Sequence, residues 1–170
     1  PKQIDQDRNR KYRSAAADEC RFAAPLIFQG DPRRLDPGRV IGDMDAGTVA
    51  AARAALDGGA HLLGVALVAE GAELRTAGID APVLVLSQAS VDELDELVAQ
   101  RLDATIYTPA GAADLGAAAR RAGRGPHDPV PVHLKVDTGM RRVGVQPEEA
   151  VDLARAIVDD PGLHLASVFT

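Results

Sequence analysis

The densest group of chemically capable side chains in this sequence lies in the run His133-Leu134-Lys135-Val136-Asp137-Thr138-Gly139-Met140-Arg141-Arg142-Val143-Gly144-Val145. The run begins as an apolar strand and continues into a polar loop that contains glycine. In a barrel of parallel strands, the active site lies at the carboxyl ends of the strands. Because arginine presents forked donors to a carboxylate or phenolate, a lysine and two arginines at this position could bind an anionic ligand. The alternative is a strand followed by an Asp-Thr-Gly turn with solvated arginines.

The remaining candidates for catalysis or metal binding are weaker. The sequence has neither a Gly-x-Gly-x-x-Gly fingerprint after a strand nor a Walker-type phosphate loop. Ser87 and Ser167 lack the context of a nucleophile elbow. Cys20 is the only cysteine, which excludes an intrachain disulfide and a cysteine-rich zinc site. No two histidines have the i, i+4 spacing of a metal-binding pair, so we predict no metal and no ligand role for His61, His127, His133 or His164.

Composition limits the classes of partner. The 170 residues carry a formal net charge of −6, whereas a protein that binds the nucleic-acid backbone needs a basic face. No apolar run approaches the roughly 18 residues of a membrane span. The polar start of the chain does not resemble a secretory signal. We therefore expect a cytoplasmic protein that binds neither nucleic acid nor membrane.

Regular patterning begins at Ala46, so we divide the chain into a poorly patterned segment, residues 1–45, and an α/β domain, residues 46–170. Within the domain, helices alternate with short apolar strands, which predicts a parallel sheet with right-handed crossovers. The predicted strands are Leu62–Val68, Pro82–Leu86, Ala104–Thr108, Pro131–Val136 and Leu163–Phe169. The predicted helices are Thr48–Leu56, Glu70–Ala77, one capped by Ser90 and Glu93, Gly111–Ala122, and one from Pro147 to Val158.

An open doubly wound sheet and a (β/α)8 barrel share this alternation. A complete barrel takes about 250 residues, so this chain could supply only about five of its strands. The sequence also finishes on a predicted strand, whereas a doubly wound domain would finish with a covering helix. We therefore predict an incomplete TIM-type (β/α)8 barrel.

The run from His133 to Val145 closely resembles the alanine racemase motif H-L-K-V-D-T-G-M-G-R-x-G-V, and departs from it at Arg141, where the family usually has glycine. Leu63–Leu86 resembles a second stretch of that family, and Ser167–Thr170 resembles the strand before a histidine that stacks on the family's cofactor. The resemblance covers about residues 46–170. It implies an N-terminal barrel, pyridoxal 5'-phosphate as cofactor, a homodimer, and alanine as substrate. In that family the cofactor withdraws electrons from the α-carbon while two bases act on opposite faces.

The resemblance implies roles only where residues match. Arg142 matches the arginine that hydrogen-bonds the phenolic oxygen of the cofactor and helps to bind substrate. Lys135 matches a lysine, carbamylated in some members, that orients this arginine. Met140 matches a position near the substrate carboxylate, whereas Asp137 and Thr138 match residues that shape the loop. The implied cofactor-binding residues are therefore Arg142 and Lys135, and the implied substrate-binding residues are Arg142 and Met140.

Neither catalytic base of the family has a match in this sequence. The family's Schiff-base lysine belongs to a V-V-K-A-x-A-Y-G-H-G motif, and the equivalent stretch, Val40–Gly47, contains no lysine, tyrosine or histidine. Arginine cannot replace the primary amine of a Schiff base. The second base, a tyrosine of the partner subunit's C-terminal domain, falls outside the sequence. We therefore assign no catalytic residue, and we expect a homologue of enzymes that interconvert L- and D-alanine that is inactive as this chain alone.

The alternative is a non-catalytic fragment, degenerate or frameshifted, that acts at most as an interaction module. A frameshift near the start would explain why the resemblance begins abruptly near Ala46. The open sheet edges of a partial barrel would also invite pairing with another chain.

Overall fold

The computed structural model describes residues 47–170, so the predicted poorly patterned segment, residues 1–45, lies outside the described residues. In the described part, helices and strands alternate as the sequence predicts. The helices are α1 (Gly47–Asp57), α2 (Val68–Thr76), α3 (Leu94–Ala99, preceded by a 3-10 turn at Val91–Glu93), α4 (Pro109–Arg121) and α5 (Pro147–Asp159). The strands are β1 (Leu63–Val65), β2 (Val83–Val85), β3 (Asp103–Ile106), β4 (Val130–Lys135) and β5 (Leu163–Phe169).

The five strands form one parallel sheet in the order β1-β2-β3-β4-β5. In a doubly wound sheet the strand order reverses at a switch point, which sends helices to both faces. Here every crossover leads to the next strand in the same direction, so right-handed crossovers leave all the helices on one face. This is the arrangement of a barrel wall, and the prediction of a partial (β/α)8 barrel is confirmed.

The hydrophobic core lies between the sheet and its helices. Val83 and Val85 of β2 pack in one cluster with helix residues such as Leu97 and Leu115. Leu84, between the two valines, is also buried but does not belong to that cluster, because successive side chains of a strand point to opposite faces. Each large apolar side chain buried in this way stabilises the fold by about 1.5–3 kcal/mol.

The face of the sheet opposite the helices carries polar side chains. In β4, Val132 and Leu134 belong to the core cluster, so His133 and Lys135 lie on the other face. Thr105 of β3 is the register partner of His133 and therefore shares its face. The residues that could do chemistry are thus separated from the helix-covered core.

The first strand is shorter than predicted. β1 ends at Val65, and Val68, which we predicted as the end of the strand, begins α2. The carboxylate of Glu70 accepts hydrogen bonds from the backbone N–H groups of Ala66 (2.8 Å) and Leu67 (3.0 Å), which turns the chain into the helix. Apolar residues continue across this turn because both the strand and the helix bury them. The hydrophobic pattern alone therefore does not locate the boundary between the two elements.

The helix predicted to start at Ser90 has the expected cap. The Glu93 carboxylate accepts hydrogen bonds from the backbone N–H of Ser90 (3.0 Å) and from its hydroxyl (2.7 Å). These bonds hold the pKa of Glu93 below its ordinary value.

No helix within residues 47–170 is long and apolar enough to cross a membrane.

Candidate functional site

The loop between β4 and α5 is closed at its base by backbone hydrogen bonds. The N–H of Asp137 donates to the carbonyl of Val145 (2.9 Å), and the N–H of Val145 donates to the carbonyl of Lys135 (2.9 Å). The N–H of Val136 donates to the carbonyl of Phe169 (2.8 Å), which ties the same point to β5. The intervening residues 137–144 therefore form a loop with fixed ends at the carboxyl end of β4, where barrels carry their active sites.

Asp137 organises the inside of this loop. It is a buried residue, 8% exposed, and its Oδ1 accepts hydrogen bonds from the backbone N–H groups of Arg141 and Gly139, both at 2.9 Å. These hydrogen bonds, that from Arg141 foremost, hold the pKa of Asp137 below its ordinary value. The carboxylate is therefore engaged with the backbone, which agrees with the loop-shaping role that the sequence implied.

Gly144 lies where a side chain would clash with the backbone of the loop. Its φ is +141°, and a Cβ built on it would lie 2.5 Å from the backbone nitrogen of Asp137 and 2.8 Å from the carbonyl carbon of Val136. Close approach of two backbone segments is a common reason for glycine. The contact lets the Asp137 and Val145 segments pair.

Arg141 adopts a backbone conformation that favours glycine. Its φ is +53°, in the left-handed region that costs a residue with a Cβ roughly 1–2 kcal/mol. The alanine racemase motif has glycine at this position. Arginine in its place keeps the same turn but adds backbone strain. Arg101 is the other residue within 47–170 that combines a side chain with a positive φ, at 52°.

The guanidinium groups of Arg141 and Arg142 contact no acceptor within residues 47–170. Within residues 47–170, neither side chain donates a hydrogen bond or forms an ion pair, and both residues are exposed. The other arginines of this part all donate from the guanidinium to an oxygen: Arg53, Arg75, Arg101, Arg120, Arg121, Arg124 and Arg155. The two guanidinium groups, carried by consecutive residues of the loop, are thus available to an anion from outside the described residues.

The other residues of the implied site lie near these arginines in the chain but are not joined to them. Met140 is 77% exposed. The Nζ atom of Lys135 lies over the ring of Phe169, 5.5 Å from its centroid, in a cation–π contact. Within the described residues no hydrogen bond joins Lys135 to Arg142, so the orienting role implied for Lys135 stays a prediction.

A hydrogen-bonded group that the sequence analysis missed lies one layer deeper on the same face of the sheet. His133 is 8% exposed; its Nδ1 lies 2.7 Å from Oγ of Ser167 and its Nε2 lies 3.2 Å from Oδ2 of Asp103. The group therefore joins β3, β4 and β5. Thr105, beside His133, has a buried hydroxyl oxygen with no hydrogen-bond partner in the part of the chain that the structure describes.

Neither a metal centre nor a cleft at the other end of the sheet offers a competing site within the described residues. The described residues contain no group of three or more His, Cys, Asp or Glu side chains that could hold a metal ion. A cleft of about 410 Å³ lies near Arg75, Gln100 and Asp103, before the start of β3. Arg75 there donates to the carbonyls of Gln100 (2.9 Å) and Ile79 (2.6 Å), so it ties loops together. In barrels this amino-terminal end serves stability.

Comparisons with known proteins agree on one family. The model of the alanine racemase N-terminal domain matches residues 44–170. Alanine racemase from Treponema pallidum is 41% identical over 119 residues, which is 70% of this chain and 31% of that protein. Alanine racemase from Nostoc sp. is 40% identical over 126 residues, which is 73% of this chain and 32% of that protein.

A solved structure gives the same result for the fold. Alanine racemase from Clostridium difficile 630 matches with a TM-score of 0.68 at 30% identity, over 73% of this chain and 33% of that one. The chain thus spans about a third of the length of the curated relatives it matches. On the strength of the family match over residues 44–170, the chain belongs to the alanine racemase family, through the N-terminal domain.

Proposed function

We propose that this chain supplies the carboxylate-binding part of an alanine-racemase-type site. Arg142 would bind the α-carboxylate of a small amino acid, alanine, and would also contact the phenolic oxygen of pyridoxal 5'-phosphate. The observation that carries the proposal is that the guanidinium of Arg142 extends from a fixed loop and meets no acceptor within residues 47–170. A forked, permanently charged donor in this position suits a planar carboxylate.

Lys135 and Met140 take supporting roles in this proposal. Lys135 would line the cofactor-binding side, where its ammonium group rests on the Phe169 ring. Met140 would lie near the substrate carboxylate, as an exposed apolar side chain on the same loop. Family membership also supports a homodimer and a cytoplasmic location for the protein.

Covalent attachment of pyridoxal 5'-phosphate does not fit the residues of this chain. Attachment needs a primary amine, and Lys135 is the only lysine within residues 47–170. Its ammonium group lies over the Phe169 ring in a cation–π contact. The stretch Val40–Gly47, which is equivalent in position to the family's lysine motif, contains no lysine. We therefore propose that this chain alone binds the substrate carboxylate but does not racemise alanine.

The second candidate function is a non-catalytic interaction module left by degeneration or a frameshift. It is favoured by the family match, which begins only at residue 44, and by the missing lysine motif. Translating the coding DNA in all three frames tests this directly. Recovery of a K-A-x-A-Y-G-H-G motif in another frame would establish the frameshift, whereas alignment to the family in the present frame alone would reject it.

The carboxylate-binding proposal is tested by titrating acetate into the 15N-labelled chain. We expect saturable shifts at the backbone amides of Val143 and Gly144 and at the Nε–H of Arg142. Arg142→Ala should abolish the amide shifts. Arg121→Ala, which removes an exposed arginine paired with Asp95 (2.6 Å), should leave them intact. Unchanged amide shifts in Arg142→Ala would contradict the proposal.

A further inference from the structure

We propose that Ser167 carries an activated hydroxyl that accepts an acyl group from an activated ester, with His133 as its base and Asp103 as the residue that orients the base. The three side chains come from the neighbouring strands β5, β4 and β3 and meet on the face of the sheet opposite the helices. The inference goes beyond the proposed function, because carboxylate binding at Arg142 uses none of these residues.

The distances among the three side chains are those of a nucleophile, a base and an orienting group. Oγ of Ser167 lies 2.7 Å from Nδ1 of His133, and Nε2 of His133 lies 3.2 Å from Oδ2 of Asp103. A serine nucleophile is recognised by this order of contacts and not by its position in the chain. Ser167 has no nucleophile elbow, and its contact with the base depends instead on the register of β4 and β5.

Asp103 fixes the direction of the hydrogen bonds in this group. Its carboxylate can only accept, so the hydrogen of the neutral His133 imidazole resides on Nε2. Nδ1 then carries the lone pair, and the Ser167 hydroxyl donates to it. In serine proteases of the chymotrypsin type the two ring nitrogens are exchanged, with Nε2 toward the serine, but either nitrogen can take up the proton.

Burial keeps water from the base and leaves the nucleophile accessible. His133 is 8% exposed, so water does not compete with Ser167 for Nδ1. Within residues 47–170 Ser167 is exposed, so a small molecule from solution can reach its oxygen. Thr105, beside His133 on β3, also carries a hydroxyl, but this residue is 1% exposed and shielded from reagents. Ser167 thus combines a base with access.

The proposed reaction is a single acyl transfer. The Ser167 oxygen forms a bond to the acyl carbon of the ester, while its proton passes to Nδ1 of His133. The bond from the acyl carbon to the leaving oxygen breaks, the leaving group departs with the electron pair as a phenolate, and the proton on His133 passes to water. The ester has to be an activated one, because these three side chains supply no donors for the oxyanion of an unreactive ester.

The experiment treats the full 170-residue chain with p-nitrophenyl acetate and follows the acetylated residues over time by mass spectrometry. Ser87, an exposed serine whose hydroxyl forms no hydrogen bond within residues 47–170, is the reference in the same molecule. We expect acetylation of Ser167 to be about 100-fold faster, the lower end of the gain from a positioned base. Hydroxylamine removes acetyl groups from serine but not from amines, which separates the products at lysine and at the amino terminus.

Asp103→Asn tests the orienting group. The amide has the same size and still accepts a hydrogen bond from His133, but it lacks the charge that keeps the hydrogen on Nε2. We expect this variant to acetylate Ser167 about tenfold or more slowly, with no change at Ser87. Asp114→Asn, which removes an exposed carboxylate elsewhere, should leave both rates as they are in the wild type.

Two results would overturn the proposal. The first is equal acetylation of Ser167 and Ser87 in the wild-type chain, a comparison that does not depend on the folding of any variant. The second is a folded Asp103→Asn chain that acetylates Ser167 at the wild-type rate. Failure of the carboxylate-binding proposal has a different signature, namely no acetate response at Arg142, and leaves the acetylation rates unaffected.

Discussion

The Nδ1 atom of His133 lies 2.7 Å from the hydroxyl oxygen of Ser167, so a side-chain hydrogen bond joins β4 to β5 immediately after the irregularity in their register. Beyond that irregularity Lys135 pairs with Phe169, and the lysine ammonium rests on the phenylalanine ring. The hydrogen bond thus holds the two strands in the register that the cation–π contact requires.

Removal of that hydrogen bond should weaken the fold measurably. Ser167→Ala leaves Nδ1 of buried His133 without its partner, so we expect the free energy of unfolding to fall by about 1–2 kcal/mol. Urea denaturation measures the change. Ser87→Ala is the matched control, since the Ser87 hydroxyl forms no hydrogen bond within residues 47–170. Equal stability of the two variants would show that the His133–Ser167 bond contributes nothing.

The charge of Asp137 should make the loop sensitive to acid. Its pKa is lower in the folded chain than its ordinary value of 3.8, so its stabilising effect is complete above about that pH and is lost as the pH falls through the folded value. Asp137→Asn should therefore be less stable than the wild type at pH 7, and the difference should shrink below pH of about 4.

Urea unfolding of both proteins across this pH range provides the measurement. Asp114→Asn, an exposed carboxylate that accepts no hydrogen bond from the described residues, controls for the loss of one charge. A difference between Asp137→Asn and wild type that stays constant into acid would argue against an ionised Asp137 in the loop.

Arg141→Gly should stabilise the chain. Relief of the left-handed strain outweighs the extra freedom that glycine gives the unfolded chain, so we expect a gain of about 0.5–1 kcal/mol in the free energy of unfolding. Arg101→Gly is the matched comparison: its φ is 52°, but its guanidinium pairs with Asp128 at 2.9 Å. That variant should gain less, because it also loses an exposed ion pair. A loss of stability in Arg141→Gly would be inconsistent with strain at this position.

Gly144→Ala should open the loop. The added Cβ would overlap the backbone of Asp137 and Val136, so we expect a loss of about 2–3 kcal/mol and weaker acetate binding at Arg142. Gly125→Ala is the control, because a Cβ there meets no atom within 4 Å and its φ is not positive. Similar urea midpoints for the two variants would mean that the loop yields to the clash without cost.

The absence of the lysine motif predicts how the chain reacts with pyridoxal 5'-phosphate. Borohydride treatment followed by mass spectrometry should show partial labelling spread over Lys2, Lys11 and Lys135, with no D-alanine formed from L-alanine. A preorganised reacting pair can gain about 7–11 kcal/mol, and nothing near Lys135 supplies that geometry. Stoichiometric labelling of one lysine together with D-alanine formation would refute the prediction. Lys135→Arg identifies any contribution of that residue.

The fold was largely predictable because helix and strand patterns alternate cleanly, and the errors lie where apolar residues cross a boundary. Val68 is apolar in both the predicted strand and the observed helix, so only the hydrogen bonds of Glu70 locate the turn. The motif from Lys135 to Val145 indicated the loop. The hydrogen bonds of Asp137 to the loop backbone depend on the conformation of the loop, so the motif alone did not predict them. The contact between His133 and Ser167 was not predicted, because it depends on strand register, which the sequence does not contain.

The simple strand order has a kinetic consequence. Each strand pairs with the next one in the chain. The separation in sequence between paired residues is shortest for Leu84 and Asp103 and longest at the end of β4, as for His133 and Ser167. Every pairing therefore closes a crossover of moderate length, and the cost in chain entropy rises only slowly with that length. A sheet of this kind can grow by one strand at a time in the order of synthesis. The loop of residues 137–144, which depends on β4 and β5, is then among the last parts of the described chain to form.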